Sequence, residues 1–257
     1  MADHSETFDV VEIEVTQDIL RRMSDDQRAM YAVLSLSISE LSSMQKILRT
    51  GPQKVLANDN LDQGYISQRF YLLRLMTSKL LEVFKTLMGS SKESRTDDAE
   101  LLEFRTEFVA PRMENLREHA GYPLAKTIRD KIGFHYDLSK FKEGCSPINS
   151  EQAHTFIASK GSHSQLMPYG EIAVATILGE RNGEFCIDHA KLNIEKLSEF
   201  ITSALSNLVE IFNCFLEAFV TSNCTRKEIS LMVPPSLLGE AGVTPFPLFF
   251  KTDKPEQ

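Results

Sequence analysis

Tryptophan is absent from the chain, and cysteine occurs only four times, at Cys145, Cys186, Cys214 and Cys224. None of these forms a Cys-x-x-Cys pair, so a zinc finger or a thioredoxin-type centre has no support. So few scattered thiols in 257 residues fit a reducing compartment. Cys214 falls in an apolar helical row and is expected as a buried thiol. A basic excess is also missing. The formal net charge is −8 and the pI is near 5.4, which argues against a general nucleic-acid coat protein. The opening Met1-Ala-Asp-His-Ser-Glu lacks the charged start and apolar stretch of a signal peptide. The most apolar helical stretch, near 190–221, carries Glu195, Lys196, Glu199, Glu210 and Glu217, which speak against a membrane span. The expectation is a cytoplasmic protein with no membrane contact.

Familiar nucleotide and catalytic signatures are missing too. There is no G-x-x-x-x-G-K-S/T loop, no G-x-G-x-x-G, no H-E-x-x-H and no G-x-S-x-G. Glu151 and His154 form a single Glu-x-x-His, whereas a di-iron bundle needs two. They read as surface polar residues, and no cofactor or metal is expected.

What the chain does contain is helical periodicity. Apolar residues make up 42% and charged residues 25%, with sixteen phenylalanines and nine methionines to fill a core. An N-terminal arm, 1–23, includes an alternation of Val11, Ile13 and Val15 with Glu12 and Glu14 that suggests a strand or extended segment over 8–15. Ser24-Asp-Asp-Gln27 forms a capping box for a first helix to about Arg49, with Met30, Val33, Leu34, Ile38, Leu41 and Leu48 on its apolar face. A second helix, 61–88, repeats Ile66, Phe70, Leu73, Thr77, Leu80, Phe84 and Leu87 in alternating steps of four and three. Asp97 with Glu100 caps a third, 98–119, in which Pro111 predicts a kink or break. A fourth helix, 123–139, starts at Pro123. Residues 143–188 read as an insertion, with a hairpin from 153–159 and 162–167 and a short helix over 171–178. Asp188 caps the fifth helix, 190–221, whose seam is Ala190, Ile194, Leu197, Ile201, Ala204, Leu208, Ile211 and Phe215. Residues 222–257, with Pro234, Pro235, Pro245 and Pro247, read as an extended segment that docks on the bundle or on a partner. The fold class is therefore all-α: an antiparallel bundle of four or five long helices, spanning 24–221, with an irregular or hairpin insertion before the last.

One stretch carries chemistry. Thr127-Ile-Arg-Asp-Lys-Ile-Gly-Phe-His-Tyr-Asp137 sits in a stretch of net charge +3 within an acidic chain. Between Arg112 and Lys142 seven Lys or Arg face four acids. On an α-helical wheel His135 falls about 20° from Leu124, on the apolar face, and Arg129 about 120° away. That placement fits a core histidine. It also fits a cleft if a second subunit supplies the missing partner.

The stretch resembles the defining motif of the HEPN superfamily, an arginine followed four to six residues later by histidine. Here Arg129 is followed by Asp130, and His135 completes the motif. The helix order is similar to that family's bundle over roughly 24–221. The resemblance implies a metal-independent endoribonuclease of toxin, stress or phage-defence type, working as a homodimer with two motifs in one cleft, and an antitoxin or other protein partner. It implies that Arg129 holds phosphate and His135 serves as acid or base. Asp130 takes a position that is most often Asn, so it must pair with Arg129 or orient His135 to be tolerated near phosphate. The family's tyrosine two residues after the histidine is replaced by Asp137, with Tyr136 adjacent to His135 instead, and its regulation is not carried over. Two other classes stay open: a non-catalytic helical interaction protein, and a small-ligand regulator with a pocket beside 150–185.

Overall fold

In the computed structural model, the described residues are 6–50, 59–133, 137–145, 157–158, 165–166, 169–182, 184–221, 224–233, 238–239 and 249–250. The regular structure is mostly helical, and the protein is all-α in class. The helices are α1 (Gln17–Arg22), α2 (Asp25–Thr50), α3 (Asp59–Leu87), α4 (Ala99–Phe104), α5 (Ala110–Glu118), α6 (Tyr122–Thr127), α7 (Leu138–Cys145), α8 (Tyr169–Gly179) and α9 (Ile187–Phe215). Three π-helical turns, Arg105–Val109, Ile128–Gly133 and Leu216–Val220, continue α4, α6 and α9. A short 3-10 turn, Lys92–Ser94, and four two-stranded pairings complete the described structure. The pairings are β1 (Glu6–Glu14) with β6 (Thr225–Val233), β2 (Ile157–Ala158) with β3 (Gln165–Leu166), β4 (Glu180–Arg181) with β5 (Glu184–Phe185), and β7 (Leu238–Gly239) with β8 (Phe249–Phe250).

By contacts the chain forms two compact units: Met1–Lys54, Thr96–Phe104 and Val209–Gln257, and Val55–Arg95 with Arg105–Leu208. In the first, the expected capping box forms. Ser24 Oγ accepts from the Gln27 amide at 3.1 Å, and Gln27 Oε1 accepts from the Ser24 amide at 3.2 Å. The same residues reach α4: Ser24 Oγ donates to Asp98 and Gln27 Nε2 donates to Glu100 at 3.1 Å. Asp98, not Asp97, caps α4, accepting from the Leu101 amide at 2.9 Å. Along α2 the buried positions are Gln27, Met30, Leu34, Ser37 and Leu41, while Val33 and Ile38 are only half-buried. Ser37 is tolerated inside because its hydroxyl donates to the Val33 carbonyl. Phenylalanines supply the missing bulk of tryptophan: Phe104 packs edge-on against Phe215 at 5.4 Å, and Tyr31 stacks on Phe212 and Phe215.

β1 and β6 pair antiparallel without interruption, from Glu6 opposite Val233 to Glu14 opposite Thr225. The N-terminal strand was expected from its alternation, and its partner was not. Among the described residues of the expected extended segment 222–257 are β6, β7 and β8. The prolines at 234, 235, 245 and 247 lie outside the described residues.

In the second unit α3 is buried on several sides. Arg74, Met76, Thr77, Ser78, Leu80, Leu81, Val83, Phe84 and Leu87 are all inside. This is broader than the single seam its spacing predicts. The expected third helix runs from Ala99 to Glu118, and ahead of Pro111 its α-helical pattern is interrupted at Arg105–Val109, where the turn widens to π geometry. The fourth helix departs from its expected span of 123–139: α6 passes into the Ile128–Gly133 turn, and a separate helix, α7, begins at Leu138. Gly144 lets α7 lie against α8, because a Cβ there would stand 2.5 Å from the Ala173 carbonyl oxygen. Of the expected hairpin, Ile157–Ala158 pairs antiparallel with Gln165–Leu166 and the rest lies outside the described residues; the expected short helix is α8.

α9 opens at Ile187, so Asp188 lies in its first turn, where the dipole favours it, rather than at the cap. Its buried positions, Ala190, Leu197, Ile201, Ala204, Leu208, Ile211 and Phe215, follow the expected seam, with Phe200 and Val220 added. Cys214 is half-buried. By length and composition Ile187–Val220 is apolar enough to cross a membrane. The charges that spoke against a span leave one long window with few of them.

Candidate functional site

α6 begins with Pro123 in its first turn, where the missing amide costs nothing. Ala125, Ile128 and Ile132 are fully buried and fix the inner face. Ile128 still donates its amide to the Leu124 and Ala125 carbonyls, and over Ile128–Gly133 the backbone takes π geometry, so the turn is wider than in an α-helix. The wheel angle between Arg129 and His135 assumed α geometry throughout and does not describe this segment.

The wide turn lies against α3, and the two run antiparallel: Arg129 meets Glu82 and Gly133 meets Ser78. Gly133 is required by that approach. A Cβ there would stand 2.1 Å from Ser78 Oγ and 3.1 Å from the Ile128 carbonyl oxygen. Ser78 is fully buried, and its hydroxyl has no hydrogen-bond partner.

Arg129 is held from two directions. Nε donates to Glu82 Oε1 at 2.6 Å, a second guanidinium nitrogen pairs with the same carboxylate, and Nη1 donates to Asp130 Oδ1 at 2.7 Å. Burial works against the charge, yet Glu82 and Asp130 together outweigh it and hold the guanidinium pKa above its ordinary value. The side chain is 23% exposed, against 33% for Asp130 and 42% for Glu82, so solvent screens the pairs only in part. An arginine offers five N–H donors. Among the described residues three are engaged, which leaves two.

The residues that flank positions 134–136 are tied to each other. Lys131 Nζ donates to Asp137 Oδ2 at 2.7 Å, and the Asp137 amide donates to the Lys131 carbonyl at 3.1 Å. Asp137 also caps α7, accepting from the Ser139 amide at 3.0 Å and the Lys140 amide at 3.3 Å. The Lys131 hydrogen bond, followed by that from Lys140, holds the Asp137 carboxyl below its usual range, and Asp137 in turn raises Lys131. His135, Phe134 and Tyr136 lie outside the described residues.

Of the three motif residues, then, Arg129 and Asp130 come together and His135 is not described. The sequence reading missed Glu82 and Ser78. Glu82 left one trace, a lone acid between Leu81 and Val83 in a helix that is otherwise buried there. The basic excess of 112–142 is largely matched. Arg117 pairs with Glu114, Arg129 with Glu82 and Asp130, Lys131 with Asp137, and Lys140 with Glu143. Two of those acids, Glu82 and Glu143, lie outside the window. His119 is half-buried, with its ring edge on Phe200 and Nδ1 accepting from the Gly121 amide at 3.0 Å. Glu151, His154 and His163 lie outside the described residues.

Comparison with family models, curated proteins and solved structures finds no match to this chain.

Proposed function

We propose that the protein is a HEPN-like endoribonuclease of the cytoplasm that works as a homodimer in a stress or phage-defence role. The observation that supports this reading is the fixed arginine. Arg129 is oriented by Glu82 and Asp130 on the turn that precedes His135 in sequence, with two N–H donors left over among the described residues. A preorganised guanidinium is suited to charge that grows on phosphate oxygens during attack by the 2′-hydroxyl, and a histidine is suited to move the proton. The trio of Arg129, Glu82 and Asp130 carries a net −1. Phosphate therefore competes with a carboxylate, and Glu82, the more exposed of the two, is the one that yields.

A second reading has its own support in the same geometry. A guanidinium matched by two carboxylates can serve as a strut between α3 and the motif turn in a non-catalytic interaction protein. Incubation of the pure protein with mixed RNA, with and without chelator, separates the two. The ribonuclease reading expects cleavage that survives chelator, is lost in His135→Ala and falls at least about a hundredfold in Arg129→Ala. It also expects Glu82→Gln to lower the KM for RNA, because a competing charge has gone. The strut reading expects no cleavage and a lower melting temperature in both Arg129→Ala and Glu82→Gln. Cleavage at the parent rate by folded His135→Ala would overturn the ribonuclease assignment.

A further inference from the structure

We propose that Lys85 and Lys126 form a second phosphate-binding subsite beside Arg129, and that it takes the neighbouring phosphate of a single-stranded RNA. The anion subsite stands on geometry and charge. Naming its ligand as RNA rests on the ribonuclease reading.

Register is the first observation. Arg129 meets Glu82 and Gly133 meets Ser78, so four residues along one segment match four along the other. The same offset sets Lys126 of α6 level with Lys85 of α3. Lys85 is three residues from Glu82, and Lys126 is three from Arg129. Residues three apart are neighbours on a helix surface. Because the two segments run antiparallel, both lysines are displaced from the clamp in the same direction, by about 4.5 Å of helical rise. They therefore stand together on one side of the Arg129–Glu82 pair.

Charge is the second. Both lysines are exposed, and neither ammonium group has an ion pair or hydrogen bond among the described residues. Nearby cations are engaged: Arg129 with Glu82 and Asp130, Lys131 with Asp137, Lys140 with Glu143. An unpaired surface lysine is ordinary on its own. Lys85 also lies in the last turn of α3, where the helix dipole favours a cation. That accounts for one lysine and not for two at one level, where like charges repel. The acid next to them in register, Glu82, is taken by Arg129. An anion between the two ammonium groups relieves the repulsion, and phosphate accepts from several such donors at once. The chain as a whole carries −8, so the attraction is local to this spot. Lysines on a phosphate position a strand and do not read its bases. The subsite thus sets the length of strand that is held and leaves its sequence open.

The test uses the full chain, with Lys85→Gln and Lys126→Gln combined and a single-stranded deoxyoligonucleotide as probe. That strand keeps its phosphates but lacks the 2′-hydroxyl through which it could be cut. The double variant should bind it about tenfold more weakly at low salt. The slope of log K against log salt should shrink by about 0.7, the share of one phosphate. Lys126→Gln alone leaves the end of α3 as it is, and should give part of that loss with an unchanged melting temperature. With an RNA strand as substrate, KM should rise about tenfold in the double variant at unchanged kcat, the mark of lost uniform binding. With a dinucleotide, which has a single phosphodiester, neither constant should change. Equal binding of the deoxy strand by parent and double variant, no binding by the parent, or the same loss for strand and dinucleotide would each overturn the subsite. Failure of the ribonuclease reading looks different. RNA would stay uncut while binding of the deoxy strand still depended on the two lysines, which keeps the subsite and removes RNA as its ligand.

Discussion

Two of the π-helical turns lie in one unit of the molecule and are held open by different means. In Arg105–Val109 the cause is in the backbone. Pro111 has no N–H, and in an α-helix its ring would meet the Glu107 carbonyl one turn back. Widening the turn removes the collision, and the Arg112 guanidinium donates to the Phe108 carbonyl at 3.0 Å. Ile128–Gly133 contains no proline. Its backbone could close into an α-helix, and what accompanies the wider form is side-chain contact with α3, through Glu82 on Arg129 and Ser78 on Gly133. A turn set by its own backbone resists substitution of its neighbours. A turn set by side chains depends on them. π turns recur at functional sites, and the second kind is the one that a binding partner can bias.

The contrast can be broken most forcefully at Gly133. Gly133→Ala drives a Cβ into Ser78 Oγ and should cost about 1–3 kcal/mol of stability, read by denaturant titration. Ser78→Ala removes an unpartnered buried hydroxyl, should itself be neutral or stabilising, and should recover most of that loss in the double variant. Additive single effects would show that the two residues do not press on each other.

Arg129→Met is the next largest. It leaves Glu82 and Asp130 without their cation and should cost about 1–2 kcal/mol, the value for charged hydrogen bonds reduced for partial exposure. A thermal melt equal to that of the parent would remove the clamp from the account of the second turn. Pro111→Ala tests the first turn. Its effect on stability should stay below about 1 kcal/mol, while a crystal structure of the variant should show 105–109 contracted to α geometry and 128–133 unchanged. Contraction of both turns together would erase the distinction.

The smallest expected effect is on pH. Asp137 has its carboxyl pKa lowered in the folded chain, so the stability it contributes is present above the unfolded value of about 3.9 and is lost as pH falls through the folded one. Lys131 is raised, so its share is present below about 10.4 and is lost as pH rises through the folded value. The tie across 131–137 should open at both extremes, as NMR titration of the two side chains can follow. Lys131→Met should remove the alkaline step and shrink the acid one.

How much of this was legible depends on the distance over which each feature is determined. The Ser24–Gln27 capping box and the seam of α9 are local, and both could be read from spacing alone. The cap of α4 was off by one residue, because Asp97 and Asp98 are adjacent acids and only the Leu101 amide selects between them. α7 went unseen. Eight residues that include a glycine carry too short a pattern, and the helix is defined by its Asp137 cap and by Gly144 against α8. At the candidate site Arg129 and Asp130 were named from the motif, but Glu82 stands 47 positions away in sequence and only the packing of α3 brings it there. β6 was missed for the same reason, since its partner is at the other end of the chain.

That last pairing has a consequence for the order of folding. The rungs of the β1/β6 ladder join residues more than two hundred positions apart, from Glu14 with Thr225 to Glu6 with Val233. For an otherwise unstructured chain, closing a loop of that length costs about 5 kcal/mol in entropy before the first rung forms. Helix formation and helix packing require no such closure and shorten the effective loop. The ribbon is therefore a late event in folding and an early one in opening. A circularly permuted chain that joins residue 257 to residue 1 and is cut elsewhere would make the ladder a local pairing and move it towards the start of the pathway.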